Sequence, residues 1–378
     1  MLNKEKQIYL SPPHMSGREI AYMQQAFEEN YISTVGSNIL NFEKQLAKIT
    51  RARSTVALNS GTAAIHLALK VLNVQAGDEV ICSAFTFVAT ANPVLYVNAI
   101  PVFIDSEPET WNMCPQALEE AIQDRLKTGR KPKAIILVHL YGMPAKLMEI
   151  LAIAHFYQIP VIEDAAEALG STYLNKPVGT FGEMGLYSFN GNKIITTSGG
   201  GALVSDNSEY TKRALFLATQ AKDPAPHYQH SEVGYNYRMS NIAAGIGVGQ
   251  LEVLQERVKK RRAIFEFYQN RLGKHDFIQF QPEPTEAFSN RWLSCFILAP
   301  NQSVTAQKIH FALAAESIES RPLWKPLHQQ PLFAHYPYYG QNVAEKFFQR
   351  GLCLPSGSNL TDSDLERIVQ IIKNEIRR

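Results

Sequence analysis

Cysteine is scarce in this chain of 378 residues, with four in all and no CxxC pair among them. Cys82, Cys114, Cys295 and Cys353 are too scattered to predict a zinc knuckle or a disulfide framework, and their scarcity fits a reducing compartment. An excess of one charge is missing too: 37 basic against 35 acidic residues leave a formal charge of +2. That balance denies the chain the basic footprint that nucleic-acid binding needs. Long hydrophobic runs are also lacking. Stretches such as Ala134 to Val138 are of strand length, far short of the roughly 20 residues of a membrane-spanning helix. The N-terminus, MLNKEKQIYLSPPHMSG, carries charge or proline where a secretion signal would carry its apolar core. Together these absences predict a cytoplasmic protein with neither membrane nor nucleic acid as a partner, and no metal site. One short basic run, Lys259-Lys260-Arg261-Arg262, follows Glu252 and Glu256 in a helical stretch and reads as a solvated face.

What is present is the composition of a globular enzyme, with 45% hydrophobic and 19% charged residues. Ser11-Pro12-Pro13 interrupts an N-terminal arm, and Gly17 to Glu29 reads as an amphipathic helix. From about residue 55, β-branched apolar runs alternate with helical patterns. The runs are Thr55–Leu58, Glu79–Cys82, Pro101–Ile104, Ala134–Leu140, Pro160–Glu163, Gly185–Phe189 and Gly201–Val204. Helices such as Ala63–Val71 and Lys146–Tyr157 lie between them. Apolar runs without alternation predict an α/β fold whose mainly parallel central sheet is sandwiched by helices. Asn241 to Leu272 reads as one long helix or two in succession. Pro282 and Pro284 then open a smaller C-terminal α+β domain. The expected division is 1–30 for the arm and helix, 31–255 for the large domain and 256–378 for the small one.

Three motifs carry chemistry. Asn59-Ser60-Gly61-Thr62-Ala63-Ala64 joins a strand to an Ala/Leu-rich helix. Free N–H groups and the helix dipole make such a turn an anion site, and Gly61 permits close approach. An ordinary N-terminus capped by Ser60 or Thr62 explains the same residues. Next, Ile159-Pro160-Val161-Ile162-Glu163-Asp164 is a buried strand ending in two acids, which places Asp164 where open α/β sheets bind ligands. A capping box of Asp164 with Glu167 is the alternative. Last, Gly185 to Asn192 leads into Lys193 and then the triple glycine Gly199-Gly200-Gly201. A lone loop lysine is usually solvated, but glycines on this side demand tight turns and close packing. A phosphate cradle, an acid and an amine on successive strand ends are what pyridoxal phosphate requires.

With those residues in view, the chain resembles the DegT/StrS family of sugar-nucleotide aminotransferases on the fold-type I scaffold. The likeness runs through SGTAA, FTFVATAN, VFIDSEPETWN, VIEDAAEALG, YSFNGNKIITTSGGG, GYNYRMSN and RPLWKPLH. It is strongest toward bacterial exopolysaccharide and UDP-bacillosamine-type enzymes. The resemblance implies pyridoxal 5'-phosphate as cofactor, with Lys193 as its Schiff-base lysine and Asp164 on the pyridine nitrogen. It implies Gly61, Thr62 and Ser188 on the phosphate and Phe87, rather than Phe85, against the ring. Glu167 falls where many relatives carry Gln near the 3-hydroxyl. Asn236 reaches the neighbouring subunit's phosphate, which makes the protein a homodimer with shared sites. L-glutamate is the implied donor, and a UDP-linked 4-keto-6-deoxy-N-acetylhexosamine the acceptor. Arg321, Trp324, Lys325 and His328 fall in a loop that approaches substrate in relatives. Trp324 as a core residue remains open, as does His139 as a satisfied strand-end histidine. Keeping Lys193 favours transamination over sugar dehydration. A 3-keto-sugar aminotransferase is the rival on the same scaffold, and a non-enzymatic regulator would be expected to lose Lys193.

Overall fold

The computed structural model describes residues 6–377, so residues 1–5 of the expected arm, and Arg378, lie outside the described residues. Each apolar run predicted above becomes a strand, within a residue or two. They are β1 (Ser54–Leu58), β2 (Glu79–Ser83), β3 (Ile100–Ile104), β4 (Ala134–Val138) and β5 (Val161–Asp164). The short pair β6 (Thr172–Tyr173) and β7 (Lys176–Pro177) follows, then β8 (Met184–Ser188) and β9 (Gly201–Ser205). Further on come β10 (Ile278–Phe280), β11 (Ala287–Phe288), β12 (Ser294–Leu298), β13 (Arg321–Pro322), β14 (Tyr338–Tyr339) and β15 (Gly351–Leu354).

Eight strands form one sheet in the order β1-β9-β8-β5-β4-β2-β3-β14. Strands β2, β3, β4, β5 and β8 run parallel. Only β9 opposes its neighbours, pairing antiparallel with both β1 and β8. All five residues of β2, β4 and β9 are buried. Helices cover both faces, so the lack of alternation reports burial on each side. Each buried Ile, Val or Leu contributes about 1.5–3 kcal/mol on burial. The strand predicted to reach Leu140 stops at Val138, because the chain then turns through Tyr141 at φ 55°.

A second, four-stranded antiparallel sheet runs β10-β12-β15-β13. Phe296, Leu352 and Leu354 of this sheet pack with Ile264, Tyr268, Ile309 and Ile368 in a core of their own. The two sheets interlock through exchanged segments. Near the N-terminus, Ile8 pairs with Ile318 beside the smaller sheet, its N–H donating to the Ser317 carbonyl at 3.0 Å. In return β14 leaves the C-terminal third to join β3 at the edge of the large sheet. Asp105 secures that crossing by accepting N–H groups of Gln341, Val343 and Ala344 at 2.8–3.0 Å.

The expected long helix is two, Asn241–Leu251 and Leu254–Leu272, separated at Glu252 and Val253. The basic run on the second helix is not a solvated face. Arg261 is 1% exposed and Arg262 pairs with Glu283 at 2.7 Å, while Lys259 stays in solvent. Sequence period alone missed this, because one turn of the helix faces the junction of the two sheets.

Gly201 shows how the fold constrains the turn after β1. A β-carbon there would lie 2.3 Å from the Ser60 carbonyl carbon and 2.5 Å from the Gly61 nitrogen, both backbone atoms. Gly199, two residues earlier, has open space around the same position. Gly201→Ala is therefore expected to lose about 1–3 kcal/mol by overpacking, and Gly199→Ala to stay within about 0.5 kcal/mol of wild type. Urea midpoints of the two variants measure the difference, and equal midpoints would contradict this packing.

Candidate active site

A cavity of about 930 Å³ opens beyond the carboxyl ends of β1, β5 and β8. This is where open α/β sheets hold ligands, and the volume is at the upper end of the roughly 300–1,000 Å³ of ligand pockets. Its walls include Gly61, Thr62, Phe87, Asp164, Glu167, Ser188 and Lys193, which gathers seven predicted site residues in one place. Arg321 and Trp324 also line it. Asn236, Lys325 and His328 are not among its lining residues.

The turn after β1 leads into the helix Gly61–Val71. Ser60 caps that helix, accepting the Ala63 N–H at 3.0 Å, and its carbonyl takes the Ala64 N–H. The capping explanation is thus correct and still leaves an anion site. The N–H groups of Gly61 and Thr62 belong to the first turn, which has no intrahelical acceptor. A β-carbon built on Gly61 would lie 3.3 Å from the Ser188 β-carbon, so the end of β8 borders the same niche.

Asp164 ends β5 and is not followed by a helix, which rules out the capping box. Its carboxylate is buried and takes Thr90 Oγ1–H at 2.7 Å and the Ala166 N–H at 3.2 Å. Burial raises this carboxyl above its ordinary value, although Thr90 and Ala166 pull the other way. Among the described residues Asp164 has no ion-pair partner within 4 Å, so a negative charge faces the cavity largely uncompensated.

Lys193 lies in the loop between β8 and β9. Its amine stands 3.5 Å from Glu167 Oε1 and 4.2 Å from the centre of the Trp292 ring, a cation–π contact. Glu167 is buried, and burial pushes its carboxyl up to about 7 against the opposing effects of Lys193 and the Tyr141 N–H. The loop is pinned by its neighbour Asn192, whose carbonyl accepts Ser11 Oγ–H at 2.6 Å and Trp292 Nε1–H at 2.8 Å. Behind them sits Arg261, which donates to Ser11 Oγ at 2.9 Å and to the Trp292 carbonyl. A guanidinium can only donate, so the Ser11 hydroxyl proton is directed onto Asn192. Burial, with Arg257 nearby, pushes the Arg261 guanidinium down to about 9.

The other candidates separate cleanly. Phe87 is 54% exposed and packs on Trp324 at the cavity wall with ring centres 5.4 Å apart, whereas Phe85 is 2% exposed against Tyr141 and Phe347. Trp324 serves both expectations, lining the cavity while packing on the core beside Tyr141. His139 is a satisfied strand-end histidine. Its Nδ1 accepts the Ala145 N–H at 3.2 Å, so Nε2 carries the proton given to Glu163 at 3.0 Å. Arg321 is held at the cavity mouth by Glu319 at 2.8 Å. His328 bonds to Glu345 at 2.9 Å and stacks on Tyr338, while Lys325 faces solvent. Asn236 is exposed and not part of the cavity lining, with its carbonyl accepting from the side chain of Asn59, which is part of it.

Sequence reading missed Thr90, Trp292 and the lining segment Tyr9 to Pro13. Thr86 and Thr90 carried a faint signal, since a spacing of four places two hydroxyls together, here 2.8 Å apart. Trp292 and Ser11 carried none.

The family described as DegT/DnrJ/EryC1/StrS aminotransferase matches residues 13–373. EpsN of Bacillus subtilis (strain 168), named by inference a pyridoxal phosphate-dependent aminotransferase, is 54% identical, covering 97% of this chain and 95% of its own. GDP-perosamine synthase of Caulobacter vibrioides is 36% identical over 96% of each chain. Among solved structures, the PLP form of Spr1654 from Streptococcus pneumoniae, named by inference a sugar aminotransferase, superposes with a TM-score of 0.89. It is 26% identical and covers 98% of this chain and 99% of that one.

The buried Asp164 makes a stability prediction for the ligand-free protein. Its carboxyl is raised in the folded state, so the unfolded chain gives up that proton first. Stability is then lost as pH rises through the ordinary carboxylate range toward the raised value. Asp164→Asn should lift the urea midpoint at neutral pH and leave it unchanged in strong acid. A gap that does not depend on pH would contradict the uncompensated charge.

Proposed function

The chain belongs to the DegT/DnrJ/EryC1/StrS aminotransferase family, and from that membership we propose that it aminates C4 of a nucleotide-linked 4-keto-6-deoxy sugar. The acceptor we assign is UDP-4-keto-6-deoxy-N-acetylglucosamine, the donor L-glutamate, and the setting the biosynthesis of a cell-surface polysaccharide or glycan. The family depends on pyridoxal phosphate, and this cavity fits the group. An uncompensated buried carboxylate, an amine and a helix N-terminus with free N–H groups meet on its walls. That convergence carries the reading.

Bound pyridoxal phosphate supplies an electron sink through which an amino group can pass from donor to acceptor. The chain's residues do the rest. Lys193 Nζ is the amine that would anchor the cofactor, and, once released, the base that would move a proton at the donor's α-carbon. Asp164 would hold the proton on the ring nitrogen, and Thr90 keeps the carboxylate aimed. Gly61 and Thr62 N–H, with the Thr62 and Ser188 hydroxyls, would take the phosphate. Phe87 would cover the ring, with Trp324 closing the same side against water. Glu167 would lie near the 3-hydroxyl.

Asn236, exposed outside its own cavity, supports a homodimer in which it reaches the neighbour's phosphate. Arg321 is free to exchange Glu319 for an anionic group of the substrate, while Lys325 and His328 would contribute only if their loop moved. We place the large cofactor-binding part at 31–255 and the small C-terminal part at 256–378, with the arm before them. We assign the enzyme to the cytoplasm; no helix among the described residues is long and apolar enough to cross a membrane. A relative named UDP-N-acetyl-3-dehydro-alpha-D-glucosamine 3-aminotransferase, 34% identical over 336 residues, keeps amination at C3 as the second reading.

Mass spectrometry of the products from UDP-4-keto-6-deoxy-N-acetylglucosamine and glutamate tests the acceptor. A new amine on C4 is expected, while an unchanged sugar together with amination of the 3-keto isomer would overturn the assignment. Asp164→Asn is expected to weaken pyridoxal phosphate binding by about 3–5 kcal/mol, roughly a hundred- to several-thousand-fold. Equilibrium dialysis measures it, and wild-type affinity with full activity would remove Asp164 from its role.

A further inference from the structure

Two buried carboxyls face the same cavity, and their surroundings differ. Asp164 has a donor on each oxygen, Thr90 Oγ1 at 2.7 Å and the Ala166 N–H at 3.2 Å. Glu167 has one oxygen fixed by the Tyr141 N–H at 2.7 Å, while Oε1 has Lys193 Nζ at 3.5 Å. The Asn290 side chain holds the Glu167 carbonyl at 2.8 Å, so the backbone under the carboxyl is fixed as well. Trp292 closes the other side of the amine at 4.2 Å, leaving Oε1 as its one carboxylate contact within 4 Å among the described residues.

Among the described residues, the other titratable groups acting with Glu167 include Asp164 on the same turn, the Tyr141 phenol beyond β4, and the Cys295 thiol of β12, which meets the Cys353 thiol at 3.4 Å. Burial raises the Tyr141 and Cys295 groups far above neutrality, so both stay protonated and neutral. Asp164 contributes a like charge that discourages ionisation of Glu167. Where the environments of two neighbouring carboxyls push them apart, one acts as the fixed charge and the other handles protons.

We propose that Glu167 is the second acid–base group of this site, exchanging one proton with Lys193 Nζ through Oε1. The N–H bond of the ammonium breaks as an O–H bond forms on the carboxylate, and net charge is unchanged. The exchange leaves Lys193 with the lone pair it needs to anchor the cofactor and to receive a proton from the donor. An amide at position 167 could still donate to a cofactor oxygen but could not take this proton. The inference rests on the pyridoxal phosphate reading. Within it, the choice of carboxyl over amide gains a function. The balance also falls in the working range, because burial holds the Glu167 carboxyl at about 7.

Glu167→Gln is the test, since the amide oxygen can keep the Tyr141 N–H bond. The first readout is the absorption spectrum of the reconstituted enzyme against pH. The wild type should show a transition near the Glu167 value of about 7. In the variant, that transition should vanish or move by about one unit or more, a factor of ten in the equilibrium. Glu167→Asp, which restores a carboxyl, should bring it back. The second readout needs no cofactor: reductive methylation of the cofactor-free protein, followed at Lys193 by peptide mass spectrometry. With the neighbouring anion gone, the Lys193 labelling profile should move to lower pH. Superimposable spectral and labelling profiles in wild type and Glu167→Gln would overturn the proposal. Protein that takes up no pyridoxal phosphate overturns the cofactor reading instead, and the labelling profiles still decide the role of Glu167.

Discussion

A carboxylate buried at the end of a central strand, with no ion-pair partner within 4 Å among the described residues, is the constraint on which this structure turns. Asp164 is 6% exposed, and its hydrogen-bond partners among the described residues are a hydroxyl and a backbone N–H. Leaving a charge in that condition is unfavourable by several kcal/mol unless an opposite charge arrives. The rest of the sheet tolerates it because β4 and β8 hold the end of β5 from both sides. A protonated ring nitrogen would supply the missing counter-charge. Folding stability and cofactor affinity therefore pull in opposite directions at this residue, as expected where a site is organised for a ligand.

Around that charge the molecule brings together pieces distant in the chain. The loop carrying Lys193 is fixed through the Asn192 carbonyl, which takes hydrogen bonds from Ser11 and from Trp292. Arg261, buried with no carboxylate partner among the described residues, orders these donors from behind. The N-terminal segment is led to this point along the smaller part, where Ile8 pairs beside Ile318 and the Leu10 N–H donates to Glu319 at 3.0 Å. The amine is thus aimed by residues of the arm, the second long helix and the strand-bearing C-terminal third together.

Much of the large sheet was legible in the sequence, since its signal is local. Runs such as Ala134–Val138 and Gly201–Val204 are apolar without alternation, which is what burial on two faces writes into a strand. Gly61, Asp164, Ser188 and Lys193 were legible for a related reason. Each sits where a readable strand ends, and ligands collect at those ends. Arg261 was misread because its burial depends on a junction that no helical period reveals. Thr90, Trp292 and Ser11 were missed because their roles come from tertiary contact. Their sequence neighbours give no hint of Asp164 or Asn192. Glu167 was visible as a departure from Gln, but its raised carboxyl follows from burial beside Lys193, which only the fold supplies.

The central claim is that the Lys193 amine meets the aldehyde of pyridoxal phosphate opposite Asp164. Borohydride reduction of the reconstituted protein, followed by peptide mapping, tests it most directly. The account predicts one phosphopyridoxyl group per chain, attached at Lys193. A protein that stays colourless with pyridoxal phosphate, or a label on any other lysine, would contradict it.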